Sequence, residues 1–186
     1  MILALEGISA VGKSSIATAL SRAFGFDVYQ DQVRHGILGE LSRREMYLTG
    51  NQCGLDLSFF SGLLDFVADR WCLSSYVYDT WGDVSLEGAY VTQLLPMYVR
   101  ASSRVYLLRL DPELALSRML KRSARAERAV GPSYSLQQLR DLDVGFSRAA
   151  RIWGDLGGCV LEVDATDVAA AARVVIEDVL LSGILR

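Results

Sequence analysis

The chain has 186 residues, which is the length of one α/β domain rather than two. Hydrophobic residues make up 51% and charged residues 22% of the chain, so intrinsically disordered and fibrous proteins are excluded. The net charge of −3 argues against a general electrostatic grip on nucleic acid or on an anionic membrane. The sequence opens without a basic segment, and no apolar run approaches the roughly 20 residues of a membrane span, so we expect a cytoplasmic protein with no membrane partner.

Short apolar segments alternate with longer amphipathic ones in the first half of the chain. Residues 2–5 are predicted to form a buried strand, followed by a glycine-rich turn and a helix at about 13–24. A second short strand is expected at 26–29, and helical patterns follow at 33–41 and at about 44–60. A third strand, predicted at 63–68, ends in Asp69 and Arg70.

The same alternation continues in the second half. A helix is predicted at about 86–101, kinked or broken at Pro96, and a fourth strand at 104–110. Pro112 is placed to open the next helix, which runs into a basic stretch. A helix capped by Ser135, a fifth strand at 159–163 and a closing helix at 166–181 complete the chain. Strands separated by helices predict an α/β fold, a single domain over 1–186 with a five-stranded parallel sheet and helices on both faces.

One motif at the end of the first strand is specific. Residues 7–14 read G-I-S-A-V-G-K-S and satisfy G-x-x-x-x-G-K-[ST], the phosphate-binding loop. The glycines let backbone N–H groups converge on phosphate oxygens at a helix N-terminus, Lys13 reaches the β- and γ-phosphates, and Ser14 ligates Mg²⁺. The motif predicts ATP binding with Mg²⁺, and the residues expected to contact the nucleotide are Gly7, Ser9, Ala10, Val11, Gly12, Lys13, Ser14 and Ser15.

An acid and an arginine follow the third strand. Asp69 and Arg70 are expected beside the phosphate loop, because ligands of open parallel sheets bind at the carboxyl ends of strands. The carboxylate suits Mg²⁺ or proton transfer, and the guanidinium suits a phosphoryl group. An ordinary salt-bridging pair would look the same.

Three longer patterns extend these motifs. The loop begins E-G-x-x-x-x-G-K-S at Glu6, residues 69–78 read D-R-W-C-L-S-S-Y-V-Y and fit D-R-x-x-x-S-S-x-x-Y, and residues 110–116 read L-D-P-E-L-A-L before an arginine-rich stretch. Together these patterns resemble the thymidylate kinases and the related P-loop deoxynucleoside and nucleotide kinases. The resemblance implies a P-loop NTPase fold that transfers the γ-phosphoryl of ATP to a nucleotide-like acceptor, and a homodimer is compatible with it.

The resemblance also implies residue roles. Asp69 would assist Mg²⁺ and acceptor activation, and Arg70 would hold the phosphoryl groups. Ser74, Ser75 and Tyr78 would line the acceptor pocket, although helix capping explains the serines equally well and Tyr78 fits a core position.

Two departures from the family bear on the acceptor. Thymidylate kinases carry R-E-P after the second strand, whereas this chain has Gln30, Asp31 and Gln32, which keep an acid and lose the arginine. The family's Phe…Arg base-binding pair has no clean match either, and Tyr47 and Gln52 are the candidates there. As the base that the related deoxynucleoside kinases place at this strand end, Asp31 would deprotonate a hydroxyl.

Three functions therefore stay open. The longer D-R…S-S…Y match favours a nucleoside monophosphate kinase. The alternative is a kinase of a hydroxyl acceptor, either a deoxynucleoside or a hydroxymethylated base such as 5-hydroxymethyluracil in phage DNA, which would make DNA a partner. A regulatory nucleotide-binding module without transfer activity is the third.

The basic stretch predicts a mobile lid at about 118–134. Its basic residues are Arg118, Lys121, Arg122, Arg125 and Arg128. Because the variable positions of the phosphate loop are uncharged, a catalytic arginine has to come from elsewhere, and Arg122 and Arg128 are the candidates. A solvated helix face is the alternative explanation for such a charge run.

Overall fold

The computed structural model describes residues 2–30, 65–82, 84–101, 104–125 and 134–183. The predicted helices at 33–41 and 44–60 lie outside these ranges, as do Asp31, Tyr47, Gln52 and Arg128. None of the helices in these ranges is long and apolar enough to cross a membrane. In chain order the elements are β1 (Ile2–Glu6), α1 (Lys13–Phe24), β2 (Asp27–Gln30), β3 (Phe66–Asp69), α2 (Cys72–Gly82), a 3₁₀ turn (Val84–Leu86), α3 (Glu87–Ala89), a π-helical turn (Tyr90–Leu94), α4 (Leu95–Ala101), β4 (Arg104–Arg109), α5 (Pro112–Arg125), α6 (Leu136–Asp155), β5 (Val160–Asp164) and α7 (Val168–Leu181).

The described strands form one parallel sheet in the order β2-β3-β1-β4-β5. β1 lies at its centre and every residue of β1 is buried, as expected for a strand covered on both faces. Helix α1 packs against α7, and α2 packs against α6. The predicted fold class is confirmed. Because all strands run the same way, Glu6, Asp69 and Gln30 end together at one edge of the sheet.

Several element bounds differ from the sequence prediction by one to three residues. β3 covers Phe66–Asp69, so Asp69 belongs to the strand rather than following it. Helix α7 begins at Val168 rather than 166, because the Asp167 carboxylate accepts the N–H groups of Ala169 and Ala170 and so caps the helix there. The predicted cap at Ser135 and the predicted start of α5 at Pro112 are confirmed, and the Asp111 carboxylate caps α5 by the same kind of hydrogen bond.

The helix predicted at 86–101 is interrupted before Pro96. A π-helical turn occupies Tyr90–Leu94, where the N–H of Leu95 bonds the carbonyl of Tyr90. Proline has no N–H for the carbonyl four residues earlier, that of Thr92, and its ring crowds that carbonyl in a regular α-turn. A wider turn relieves the crowding, so the predicted break takes the form of a π segment.

The carboxyl end of α6 depends on close packing of a glycine against an indole. The residues that α6 buries are Leu139, Leu142, Phe146, Ala149, Ala150 and Trp153. A Cβ added at Gly158 would lie 2.2 Å from Nε1 of Trp153, whereas one added at Gly154 would meet nothing within 4 Å.

We therefore expect Gly158→Ala to lower the free energy of unfolding by about 1–3 kcal/mol, the usual cost of overpacking a core. Gly154→Ala is the matched control, because it adds the same methyl group to a helix with free space and should be neutral or stabilising by up to about 1 kcal/mol. Urea titration of both variants measures the difference. Equal stabilities would contradict the packing of Trp153 on Gly158.

Candidate active site

The phosphate loop has the tight backbone that its two glycines predict. Gly7 has φ +131° and Gly12 has φ +110°, a region that side chains rarely adopt. A Cβ at Gly7 would lie 2.5 Å from the carbonyl oxygen of Leu108, and one at Gly12 would lie 2.8 Å from Val168. Ala10, between them, has φ +64°. The loop is therefore wedged between β4 and the start of α7.

Lys13 and Ser14 open helix α1 and point to different partners. The Lys13 ammonium is buried and donates to the carbonyls of Gly7 and Ile8, at 2.8 and 2.7 Å. The Ser14 hydroxyl donates to Oδ2 of Asp69 at 2.5 Å. The structure thus brings together Ser14 and Asp69, the two residues that the sequence predicted as magnesium ligands.

Arg70 is buried in a left-handed conformation beside the loop. Its φ is +79°, and its N–H donates to the carbonyl of Leu5 at 3.1 Å. The guanidinium donates through Nη1 to the Tyr78 hydroxyl at 2.9 Å and through Nη2 to Ser9 Oγ at 3.4 Å. Burial opposes its charge, but Tyr78, Asp69 and Glu6 outweigh burial, so the pKa of Arg70 is raised. The arginine is held as a cation.

Tyr78 contacts the guanidinium through its aromatic ring as well as through its hydroxyl. Cζ of Arg70 lies 5.2 Å from the centre of the Tyr78 ring, within the range of a cation–π contact. The Tyr78 ring in turn makes an edge-on contact with Phe146 of α6, with centroids 6.2 Å apart. The side chain of Arg70 therefore packs on a buried aromatic ring of the core, although its backbone lies in the bend between β3 and α2.

Glu6 belongs to the site, and the sequence analysis gave it no role of its own. Its buried carboxylate accepts hydrogen bonds from the first turn of α2, from the N–H groups of Trp71, Leu73 and Ser74 and from the Ser74 hydroxyl. Burial raises the pKa of Glu6, although the Ser74 hydrogen bonds and the charges of Lys13 and Arg70 act the other way. The signal in the sequence was an acid ending an otherwise apolar strand.

The predicted acceptor residues on α2 differ in their surroundings. Ser74 and Tyr78 are buried, and their hydroxyls bond Glu6 and Arg70 respectively. Ser75 is half-buried. Their predicted place in an acceptor pocket stays a prediction, but each buried hydroxyl has a partner inside the protein.

The described part of the lid separates its arginines. Arg118 of α5 donates to the carbonyls of Ala165 and Thr166, at 3.2 and 2.6 Å, so it is tied to the turn before α7. Arg122 is exposed one turn further along α5. Of the basic residues predicted for the lid, Arg118 therefore bonds backbone carbonyls of this protein, whereas Arg122 is exposed to solvent.

Comparison with solved structures identifies the fold. The chain superposes on a deoxyadenosine kinase from M. mycoides with dCMP and dCDP bound, with a TM-score of 0.70, 17% sequence identity and coverage of 97% of this chain and 100% of that one. The same kinase with dATP bound gives a TM-score of 0.69 at 15% identity, again over 97% of this chain and 100% of the other.

A second protein with this fold is the YorR protein from Bacillus subtilis in complex with phosphorylated GDP, with a TM-score of 0.63, 16% identity and coverage of 98% of this chain and 97% of that one. No protein-family model matches the chain, and no curated protein is detectably similar in sequence. The chain thus has the P-loop fold of these proteins, which agrees with the related deoxynucleoside kinases of the sequence analysis, whereas these structures do not point to thymidylate kinase in particular.

The support of Arg70 can be tested by stability alone. Tyr78→Phe removes the acceptor of a buried charged donor, so we expect a loss of about 1–3 kcal/mol in the free energy of unfolding. Tyr106→Phe is the control, because the partner of that hydroxyl, Asp178, keeps its salt bridge to Arg104. It should cost less, about 1 kcal/mol. Chemical denaturation of the two variants checks this, and a greater loss for Tyr106→Phe would contradict the assignment.

Proposed function

We propose that this protein is an ATP-dependent phosphotransferase that phosphorylates a nucleoside-type acceptor. The observation that carries the proposal is the contact between the two halves of the site. The phosphate loop meets Asp69 through Ser14 at 2.5 Å and meets Arg70 through Ser9 at 3.4 Å. Transfer of a phosphoryl group between two substrates requires a loop that binds phosphate and a positive charge beside it. Arg70 supplies a buried guanidinium that contacts the loop at Ser9.

The donor half of the site is the loop and the start of α1. Loop N–H groups and the N-terminus of α1 would hold the triphosphate, and the Lys13 ammonium would exchange its carbonyl partners for phosphate oxygens. Ser14 and Asp69 would hold Mg²⁺, since a hydroxyl and a carboxylate oxygen this close can face one ion and are the hard ligands it prefers. Bound Mg²⁺ would neutralise charge on the phosphate oxygens.

The acceptor half is centred on Arg70. Phosphoryl transfer needs in-line placement and charge stabilisation more than covalent catalysis. A guanidinium fixed by Tyr78 and Ser9 meets the acceptor in one orientation. Arg122 and Arg128 are proposed as the residues that complete charge stabilisation from the lid, while Arg118 is left out because it bonds backbone carbonyls.

Two acceptor classes fit this site, and we favour a hydroxyl over a phosphate. The monophosphate rests on the D-R…S-S…Y match, but Ser74 and Tyr78 support Glu6 and Arg70, so that match is equally compatible with either acceptor. The absence of an arginine before Asp31 favours a hydroxyl acceptor such as a deoxynucleoside. The likeness to a solved deoxyadenosine kinase supports the same choice.

The acceptor class predicts the role of Asp31, the residue after Gln30, which pairs with Asp69 in the sheet. A hydroxyl of high pKa needs a general base, so Asp31→Asn should lower kcat by about 10²–10⁴-fold with acceptor affinity retained. A phosphate acceptor is already ionised and would make the loss modest. Asp27→Asn, at the other end of β2, is the control and should keep the wild-type kcat.

The measurement is turnover with a panel of deoxynucleosides, nucleoside monophosphates and oligonucleotides that contain 5-hydroxymethyluracil. Loss below about tenfold for Asp31→Asn on the best acceptor would return the choice to the monophosphate. If only the oligonucleotide is phosphorylated, the acceptor is the hydroxymethylated base in DNA.

The donor site is tested at Lys13. Lys13→Ala should abolish phosphoryl transfer, and Lys13→Arg should not restore it, because a planar guanidinium does not replace a compact ammonium that bonds two loop carbonyls. Arg173→Ala removes the same charge from an exposed site on α7 and should leave transfer unchanged. Transfer by Lys13→Ala at the wild-type rate would contradict the proposed donor site.

A further inference from the structure

We propose that Glu6 is a positioning residue that holds the Arg70 turn in register with the phosphate loop; this inference rests on the proposed phosphotransferase function. Glu6 is the last residue of β1 and directly precedes Gly7, the first residue of the loop. Its side chain reaches to the start of α2, so one residue connects the donor loop to the segment that carries the acceptor arginine.

The connection consists of four hydrogen bonds to the two carboxylate oxygens. Oε1 accepts the N–H groups of Trp71 and Leu73, both at 2.9 Å. Oε2 accepts the N–H of Ser74 at 3.2 Å and the Ser74 hydroxyl at 2.5 Å. All four donors belong to the turn that follows Arg70. The N-terminus of α2 is therefore capped by Glu6 of strand β1 rather than by a neighbouring residue in the sequence.

The charge of Glu6 has a reason to be there. An isolated buried carboxylate is costly, and an apolar residue would fill the end of a core strand more easily. This carboxylate instead accepts four hydrogen bonds, at a helix N-terminus whose dipole favours a negative charge. The two buried cations of the site, Lys13 and Arg70, act on it electrostatically from the loop side and the turn side.

The left-handed backbone of Arg70 depends on this cap. A non-glycine residue at φ +79° is strained and persists only where its neighbours fix it. The carbonyl of Leu5 fixes the N–H of Arg70, and Glu6 fixes the N–H of the next residue, Trp71. Two consecutive residues of β1 therefore set the direction in which the guanidinium leaves the backbone.

Glu6→Gln is the direct test, because it keeps the size of the side chain but turns one acceptor into a donor that faces other donors. We expect kcat to fall by about 10- to 100-fold, the usual effect of a small misplacement of a catalytic group, with the KM for ATP within about threefold of wild type. Amide hydrogen exchange of Trp71, Leu73 and Ser74 should become faster in the same variant.

The matched control is Asp178→Asn, which changes a partly buried carboxylate that bonds Arg104 and Tyr106. Arg104 begins β4, so this pair lies at the end of the sheet away from the site. Asp178→Asn should lower the thermal midpoint and leave kcat unchanged below that midpoint. If Glu6→Gln behaves in the same way, Glu6 only stabilises the fold and the inference is overturned.

A milder variant covers the case in which Glu6→Gln does not fold. Ser74→Ala removes one of the four hydrogen bonds and should lower kcat by a few-fold without raising the KM for the acceptor. A raised acceptor KM with unchanged kcat would instead place Ser74 in the acceptor pocket and overturn its role in the cap.

The exchange measurement separates this inference from the proposed function. A wild-type protein that transfers phosphate to no acceptor contradicts the function, whatever Glu6 does. Unchanged exchange at Trp71, Leu73 and Ser74 in Glu6→Gln overturns the inference even in an active enzyme.

Discussion

The buried carboxylate of Glu6 joins the two parts of this site, and the remaining geometry depends on it. It lies at the end of the central strand and accepts four hydrogen bonds from the start of α2: three from the N–H groups of Trp71, Leu73 and Ser74 and one from the Ser74 hydroxyl. Because the strand continues directly into the phosphate loop, this side chain connects the loop to the turn that carries Arg70. A charge in the core is tolerated here because a helix N-terminus and a serine hydroxyl surround it.

The D-R…S-S…Y segment can now be understood as a helix face. Ser74 and Tyr78 are four residues apart and so lie on the same side of α2, toward the sheet and α6. Ser74 supports Glu6, and Tyr78 supports Arg70 through its hydroxyl and its ring. The segment resembles a substrate-binding motif in sequence, but its residues Ser74 and Tyr78 form hydrogen bonds to side chains of the protein itself. Asp69 and Arg70 are the part of it that faces the phosphate loop.

The sequence predicted the fold class, the phosphate-loop motif and the position of Asp69 and Arg70 beside that loop, because these depend on local patterns and on the geometry of parallel sheets. It could not predict the strand order or the partners of Ser74 and Tyr78, since the direction of a helical side chain is decided by packing against distant elements. The sequence also could not predict the π-helical turn before Pro96, because proline disfavours a regular α-helical turn but does not determine which other turn takes its place. Glu6 was overlooked because its partners are more than sixty residues away.

The two hydrogen bonds from Lys13 to backbone carbonyls have a consequence for the proposed recognition of a nucleotide. Lys13 as a residue is only 6% exposed and its ammonium bonds two carbonyls, so most of the hydration of the ammonium has been removed during folding rather than on binding. A phosphate that displaces the two carbonyls exchanges neutral acceptors for charged ones without stripping water from the cation. This preorganisation increases the affinity for polyanions selectively, because an uncharged ligand would offer the ammonium hydrogen bonds no stronger than those to the carbonyls of Gly7 and Ile8. Of the two lysines in a chain with seventeen arginines, this one places a compact and almost completely buried positive charge at the phosphate loop.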